Sequence, residues 1–297
     1  WRANTGGMEA ANALWLLRGY EYKEGYIQTC TDDYMADLKP LAIPGAMEAV
    51  NEWAKEKTHG RIRRILSEEL PRDTRLMITN ALYYLGDWEK PFYESGTYDR
   101  EFHAPSGALT VPFMHSERHV PYYKNDQFSM ITLKFKAREN EGRYAMAFLL
   151  PAESSSVGEL LGSLSGAAFK SALSNATDDK EVIISLPKFE LEYFTPLRET
   201  LEALGMERAF SLDRADFSGI TDAEQLFISD VLHKCYVRVD EQGAEAAAVT
   251  VVDVPAEGAP PVEEEKREFI ANRPFVFAIY SLEDGALAFV GAVNDPS

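Results

Sequence analysis

Two cysteines, Cys30 and Cys235, are all that this chain of 297 residues contains, so no disulfide framework holds it together and its stability must come from packing. Basic residues are scarce too. Lys and Arg number 30 against 48 Asp and Glu, a formal charge of −18, which repels phosphate backbones and anionic membrane surfaces, and nucleic acid is not an expected partner. No apolar run reaches the roughly 18 to 20 residues that span a bilayer. The chain opens on Trp1-Arg2-Ala3-Asn4-Thr5-Gly6-Gly7, neither an initiator Met nor a charged-then-apolar leader, and the natural N-terminus is expected upstream.

Familiar catalytic signatures are missing as well: no phosphate loop, no dinucleotide fingerprint and no Gly-x-Ser-x-Gly turn. His115 and His119 have the i, i+4 spacing of a zinc-protease helix, but His-Ser-Glu-Arg-His is the wrong order, and Pro112 and Pro121 oppose a helix there. No metal is expected. His233 and Cys235 share one face of an extended segment, which invites a cysteine-hydrolase reading. Both lie in an apolar alternation where a core histidine and a buried thiol are commonplace, and no neighbouring motif supplies an oxyanion hole. No catalytic residue and no cofactor is assigned.

What is present is 45% hydrophobic residues, ample for a real core. Apolar spacing predicts helices over 26–38 and 47–62, the second packed by Trp53, and one or two helices over 158–176. Thr195 as N-cap, Pro196 at the first helical position, Leu197, Leu201 and Leu204 on one face and Gly205 beyond the end predict a further helix. The segment 9–17 has helical propensity yet is short enough to be a buried strand. Nearly continuous apolar runs predict strands over 76–85, 143–150 and 181–186, with several short antiparallel strands between Tyr98 and Lys136. Asn80 interrupts the first run and is expected to make an internal polar contact. A long alternating strand is predicted over 225–239, and 269–280 with 286–293 form a C-terminal hairpin around Glu283-Asp284-Gly285. The layout is α+β.

The segment after Val239 sets this chain apart. From Ala244 to Val254 the even positions read Ala244, Ala246, Ala248, Thr250, Val252 and Val254, a small, mostly apolar face fit to be buried in a sheet. Yet Pro255-Ala256-Glu257-Gly258-Ala259-Pro260-Pro261 and Glu263-Glu264-Glu265-Lys266 follow, turn-prone and acidic. A buriable strand is attached to a long exposed loop.

Several segments together resemble the serpins. Asn80-Ala81-Leu82-Tyr83-Tyr84-Leu85-Gly86-Asp87-Trp88-Glu89-Lys90-Pro91-Phe92 is similar to the serpin Asn-Ala-x-Tyr-Phe-x-Gly-x-Trp-x-x-Pro-Phe segment. Val50-Asn51-Glu52-Trp53 with Thr58-His59-Gly60, Pro187-Lys188-Phe189, Leu204-Gly205-Met206, Ala215 to Ile220, Leu232-His233-Lys234 and Arg273-Pro274-Phe275-Val276-Phe277 follow in serpin order. The resemblance runs along essentially the whole chain, 1–297, as one serpin domain of prokaryotic (bacterial) type whose N-terminal helices and first strand are not found here. It implies a serpin fold: three β-sheets, a helical layer and an exposed reactive-centre loop over about 241–266. It also makes 9–17 a strand.

The resemblance implies a suicide-substrate inhibitor of serine-type, and also cysteine-type, proteases. Cleavage of the loop is followed by insertion of its first half as a new strand, a motion that also serves as a general example of strand addition. Carried over residue by residue, Glu241 marks the outer end of the hinge, Gly243 is its pivot, and Ala244 to Val254 supply the inserted face. Asn80 and His233 belong to a buried polar cluster, and Trp88 stands at the top of the sheet. Counting the family interval from Glu241 places the reactive bond between Glu257 and Gly258. An acidic residue there points away from trypsin-like targets and towards elastase-like, subtilisin-like or glutamate-cutting proteases. A monomer, secreted or at the cell surface, is expected. The competing reading is a non-inhibitory serpin-fold binding or chaperone protein; a large or charged residue on the inserted face would favour it, and there is none.

Overall fold

The computed structural model describes residues 8–84, 86–137, 142–222, 226–243 and 265–297. The inserted face from Ala244 to Val254 and the reactive bond at Glu257 and Gly258 lie outside the described residues. The chain divides into two compact units, one of residues 1–84 and 191–237, the other of 85–190 and 238–297.

In the first unit Met8–Leu17 is strand β1, not a helix: Ala13, Trp15 and Leu16 are buried in a sheet, and tertiary pairing overrides the alanine-rich propensity. Helix α1 covers Glu24–Asp32 and stops short of the predicted end, because Ala36–Leu41 forms β2, parallel to β1 with Leu38 opposite Leu14. Helix α2 is Ala46–Lys57. Its Trp53 meets Trp15 edge-on at 5.9 Å and donates its indole N–H to Asp37 at 2.8 Å, so the expected packing role holds. Strand β3, Leu76–Tyr84, pairs antiparallel with β1, bringing Asn80 opposite Asn12.

The second unit holds β4 (Tyr98–Ala104), β5 (Gly107–His119), β6 (Tyr122–Lys124), β7 (Phe128–Lys134) and β8 (Tyr144–Pro151). Helices α3 (Val157–Ser163) and α4 (Gly166–Asn175) follow, each N-capped by a serine, Ser156 and Ser165, which satisfies an otherwise orphan N–H. Then come β9 (Glu181–Pro187) and β10 (Phe189–Pro196), the latter running on into the first unit.

The predicted helix at Thr195 begins later than its cap signals indicate. Leu197 donates its N–H to Val231 O at 2.7 Å, so the sheet holds the chain through Pro196 and α5 starts at Arg198, running to Leu201 and continuing as a π-helix over Glu202–Met206. Gly205, at φ 97°, closes that turn as expected, but Leu204 is 79% exposed rather than on the packed face of Leu197 and Leu201. Strand β11, Ile228–Val239, is the long alternating strand. The apolar run over 269–280 is two strands: β12 (Arg267–Ile270) pairs with β9, whereas β13 (Phe275–Ser281) forms the hairpin with β14 (Leu287–Val293). Pro274 lies between them and has no N–H to continue a ladder.

Three sheets result, in strand orders β10-β11-β3-β1-β2, β12-β9-β5-β4 and β14-β13-β8-β7-β6. In the first unit Leu16, Leu76, Phe210, Ile220, Ile228 and Val231 cluster. In the second, β7, β8 and β13 pack Met130, Ala147, Leu149 and Val276 against Leu160 and Phe169 of α3 and α4. Among the described residues no helix is long and apolar enough to cross a membrane.

Candidate functional site

The central pair of the first sheet is β3 and β11, and it is parallel. Nine residue pairs are in register, among them His233 opposite Asn80 and Cys235 opposite Leu82. Strands joined in a simple up-and-down order would pair antiparallel, so a parallel neighbour marks strands brought together from far apart in sequence. A chain that turned back after β11 would run antiparallel to β11 and equally to β3. In the structure the seam is closed, with β3 and β11 paired directly; were they to part, each would present an edge to which such a strand could pair.

Side chains bridge the seam. His233 Nδ1 lies 2.6 Å from Asn80 Oδ1, Asn80 Nδ2 donates to Asn12 Oδ1 at 2.6 Å, and Cys235 Sγ lies 2.7 Å from His233 Nε2. One assignment of protons satisfies all three: Nδ1–H donates to Asn80, and the bare Nε2 accepts from the thiol. Burial lowers the His233 pKa and pushes the Cys235 thiol up to about 11, so both stay neutral. Cys235 is a thiol, not the thiolate a nucleophile needs. Asn80 therefore makes the internal contact its sequence setting predicts. Asn12 was not singled out in the sequence, although a lone amide in an apolar strand was the available signal.

The stretch after β11 is anchored in the second unit. Trp88 is 2% exposed, stacked on Phe135 at 4.6 Å, and its indole N–H donates to Asp240 O at 2.9 Å. Its backbone N–H donates to Gln242 O at 2.7 Å, and that of Phe92 to Glu241 O at 2.7 Å. The Glu241 carboxylate is buried, with Lys188 Nζ at 2.8 Å and Thr97 Oγ1 at 2.7 Å. Burial pushes its pKa up, but the Lys188 and Thr97 hydrogen bonds outweigh that and hold it below the usual value. Lys188 and Thr97 escaped the sequence reading, Lys188 although it sits inside a motif noted there.

Gly243 is held, not loose. Its N–H donates to Asp240 O at 3.2 Å and its O accepts from Asp240 N–H at 3.0 Å, closing a tight turn. Its φ is 129°, and a Cβ there would lie 2.2 Å from Gly86 O and 2.7 Å from Trp88 N. Glycine is required by close approach as well as by backbone conformation. By contrast His115 and His119 both lie on β5, where i, i+4 spacing spreads side chains along the strand. Among the described residues no group of three His, Cys, Asp or Glu could hold a metal ion.

A family profile described as Serpin (serine protease inhibitor) matches residues 2–296. The chain belongs to the serpin family. An uncharacterized serpin-like protein of Thermococcus kodakarensis is 38% identical over 293 residues, covering 97% of this chain and 66% of that protein. Intracellular coagulation inhibitor 2 of Tachypleus tridentatus is 30% identical, over 96% of this chain and 69% of its own length. Among solved structures the thermophilic serpin tengpin in its native state superposes with a TM-score of 0.86 at 32% identity, covering 98% of this chain and 75% of that one. The three sheets and helices are thus a serpin fold, and the chain spans about two thirds of the length of these curated relatives.

Proposed function

We propose that this serpin inhibits serine-type proteases, and cysteine-type proteases as a second class, by acting as a suicide substrate. The protease cleaves the loop over about 241–266, between Glu257 and Gly258, and is trapped as an acyl-enzyme while residues 244–254 enter the β3–β11 seam. Glu241 and Gly243 are the fixed root of the moving segment, and Asn80 and His233 are the contacts that must part. The observation that carries this reading is the parallel seam itself: one strand running antiparallel to both neighbours completes it. Ala244, Ala246, Ala248, Thr250, Val252 and Val254 suit that strand because burying a charge there would be costly. Each added ladder hydrogen bond contributes about 0.5 to 1.5 kcal/mol net.

Glu257 before the bond directs the search to elastase-like, subtilisin-like and glutamate-cutting proteases rather than trypsin-like ones. The test is to mix the full-length protein with such a panel and run the products under denaturing conditions. An SDS-stable band of protease plus inhibitor is expected with at least one. Loop cleavage by every protease, with no such band, would overturn the proposal.

A further inference from the structure

In this strongly acidic chain one cavity of the second unit gathers three cationic side chains beside two carboxylates, with no ion pair between them. Its volume is about 200 Å³, and Lys90, Arg118, His119, Thr132 and Lys134 line it. Arg118 stands near the end of β5 and Lys134 ends β7. The Arg118 guanidinium donates from Nη1 to Lys90 O and lies 4.4 Å from the centre of the Phe92 ring, while its Nε is buried without a hydrogen-bond partner. Among the described residues neither Arg118, Lys90 nor Lys134 is ion-paired. Glu89 and Asp178 also line the cavity, but neither is ion-paired with Arg118, and the Asp178 backbone oxygen lies 2.9 Å from His119 Nδ1.

A half-buried guanidinium without a counter-ion bears a desolvation cost that the Lys90 O hydrogen bond and the Phe92 ring offset only in part; burial pulls Arg118 down to about 10. An anion would relieve it. The planar fork of arginine suits two oxygens of a tetrahedral oxyanion, and two flanking lysines act as point charges on the remaining ones. The cavity is smaller than the roughly 300 to 1,000 Å³ of sites for drug-sized ligands, which favours an inorganic anion over a nucleotide or a sugar phosphate.

We propose that this cavity binds a small tetrahedral oxyanion, phosphate or sulfate, through Arg118 with Lys90 and Lys134. The proposal stands apart from protease inhibition, because binding is measured without any protease.

The test is calorimetric titration of the full-length protein with sodium phosphate and with sodium sulfate, against sodium chloride at matched ionic strength. Saturable one-site binding of at least one oxyanion, absent with chloride, is expected. Arg118→Met keeps a stem over Phe92 and should weaken that binding about tenfold or more, as loss of a charged hydrogen-bonding group does. Lys90→Gln and Lys134→Gln lie at exposed positions and should each weaken it several-fold. No saturable binding of either oxyanion, or equal heat with chloride, overturns the proposal, as does unchanged affinity in Arg118→Met. Should Arg118→Met fail to fold, the two lysine variants decide, and unchanged affinity in both overturns it.

Discussion

The seam between β3 and β11 and the anchored turn that follows β11 are held by different means. At the seam, side chains do the bridging: Asn12, Asn80, His233 and Cys235 form one hydrogen-bonded chain across three strands. At the turn, backbone groups do most of it. Gln242 O, Glu241 O and Asp240 O accept from Trp88 N–H, Phe92 N–H and the Trp88 indole, with side-chain contacts from Glu241 to Lys188 and Thr97 and from Asp240 to Arg238 beside them. A bridge of side chains can part and re-form without moving a strand, whereas a backbone clamp fixes where the chain emerges. In the proposed mechanism the seam opens and the turn holds, and the two constructions match those tasks.

The sharpest way to break the comparison is at Gly243. A Cβ there meets backbone atoms at 2.2 and 2.7 Å, and backbone cannot swing aside as a side-chain tip can. Gly243→Ala combines overpacking with a left-handed conformation and should cost about 3 kcal/mol or more. A clear drop in the thermal midpoint of the full-length protein is the readout. An unchanged midpoint would show that the turn is as adaptable as the seam.

Glu241→Gln comes next. It removes a buried charge and leaves Lys188 without its partner, but Lys188 is 34% exposed and can recover water, so the cost should fall below that of a fully buried pair, at about 2 kcal/mol. In a double-mutant cycle with Lys188→Met, most of that loss should be shared. Additive losses would mean that the ion pair contributes little to the clamp.

Asn80→Ala should have a smaller effect, about 1 kcal/mol, because half-buried His233 and Asn12 each lose a partner that water can replace in part. The loss should appear mainly as faster opening of the β3 and β11 amides in hydrogen exchange, with the turn amides unchanged. Equal acceleration at Trp88 and Phe92 would mean that seam and turn are one cooperative unit.

The legibility of the two regions in the sequence follows the same division. Asn80 stands out as an amide in an apolar run, and His233 and Cys235 as polar residues in an alternation, so residue type and spacing mark the seam's polar groups, while that Asn80 and His233 meet is implied by the serpin resemblance alone and Asn12 is missed. The root of the hinge carries Glu241, Gly243 and Trp88, which the resemblance names, but the contacts that hold it are not legible. Its hydrogen bonds come from main chain that every residue carries, and the clash that makes Gly243 obligatory is with Gly86, far away in the sequence. Lys188 is invisible for a similar reason, since a lysine near a strand end is ordinarily solvated. Errors in the helices also arise from distant pairing. Thr195 and Pro196 carry sound local start signals, yet Leu197 N–H is claimed by Val231 across the sheet, and Leu38 falls at helical spacing but pairs beside Leu14.

Acid titration separates the two regions with the smallest perturbation. His233 has a pKa depressed by burial below its ordinary 6.5, so an unfolded or opened chain takes up a proton before the closed one does. The seam's contribution is therefore complete above about pH 6.5 and falls as pH drops below it. Protonation also puts a second N–H on the ring, which then faces the Cys235 thiol instead of accepting from it; Cys235 itself stays protonated throughout, being pushed up to about 11, and the two asparagines do not titrate. Glu241 is likewise depressed, below its ordinary 4.5, so the turn keeps its contribution until pH falls past about that value. Between pH 6.5 and 5 only the seam should weaken. Thermal midpoints of the full-length protein and of His233→Gln, followed from pH 8 to pH 5, should converge over that interval as the native protein loses its advantage. Parallel curves would place the pH dependence elsewhere and leave the bridge across the seam without a titratable element.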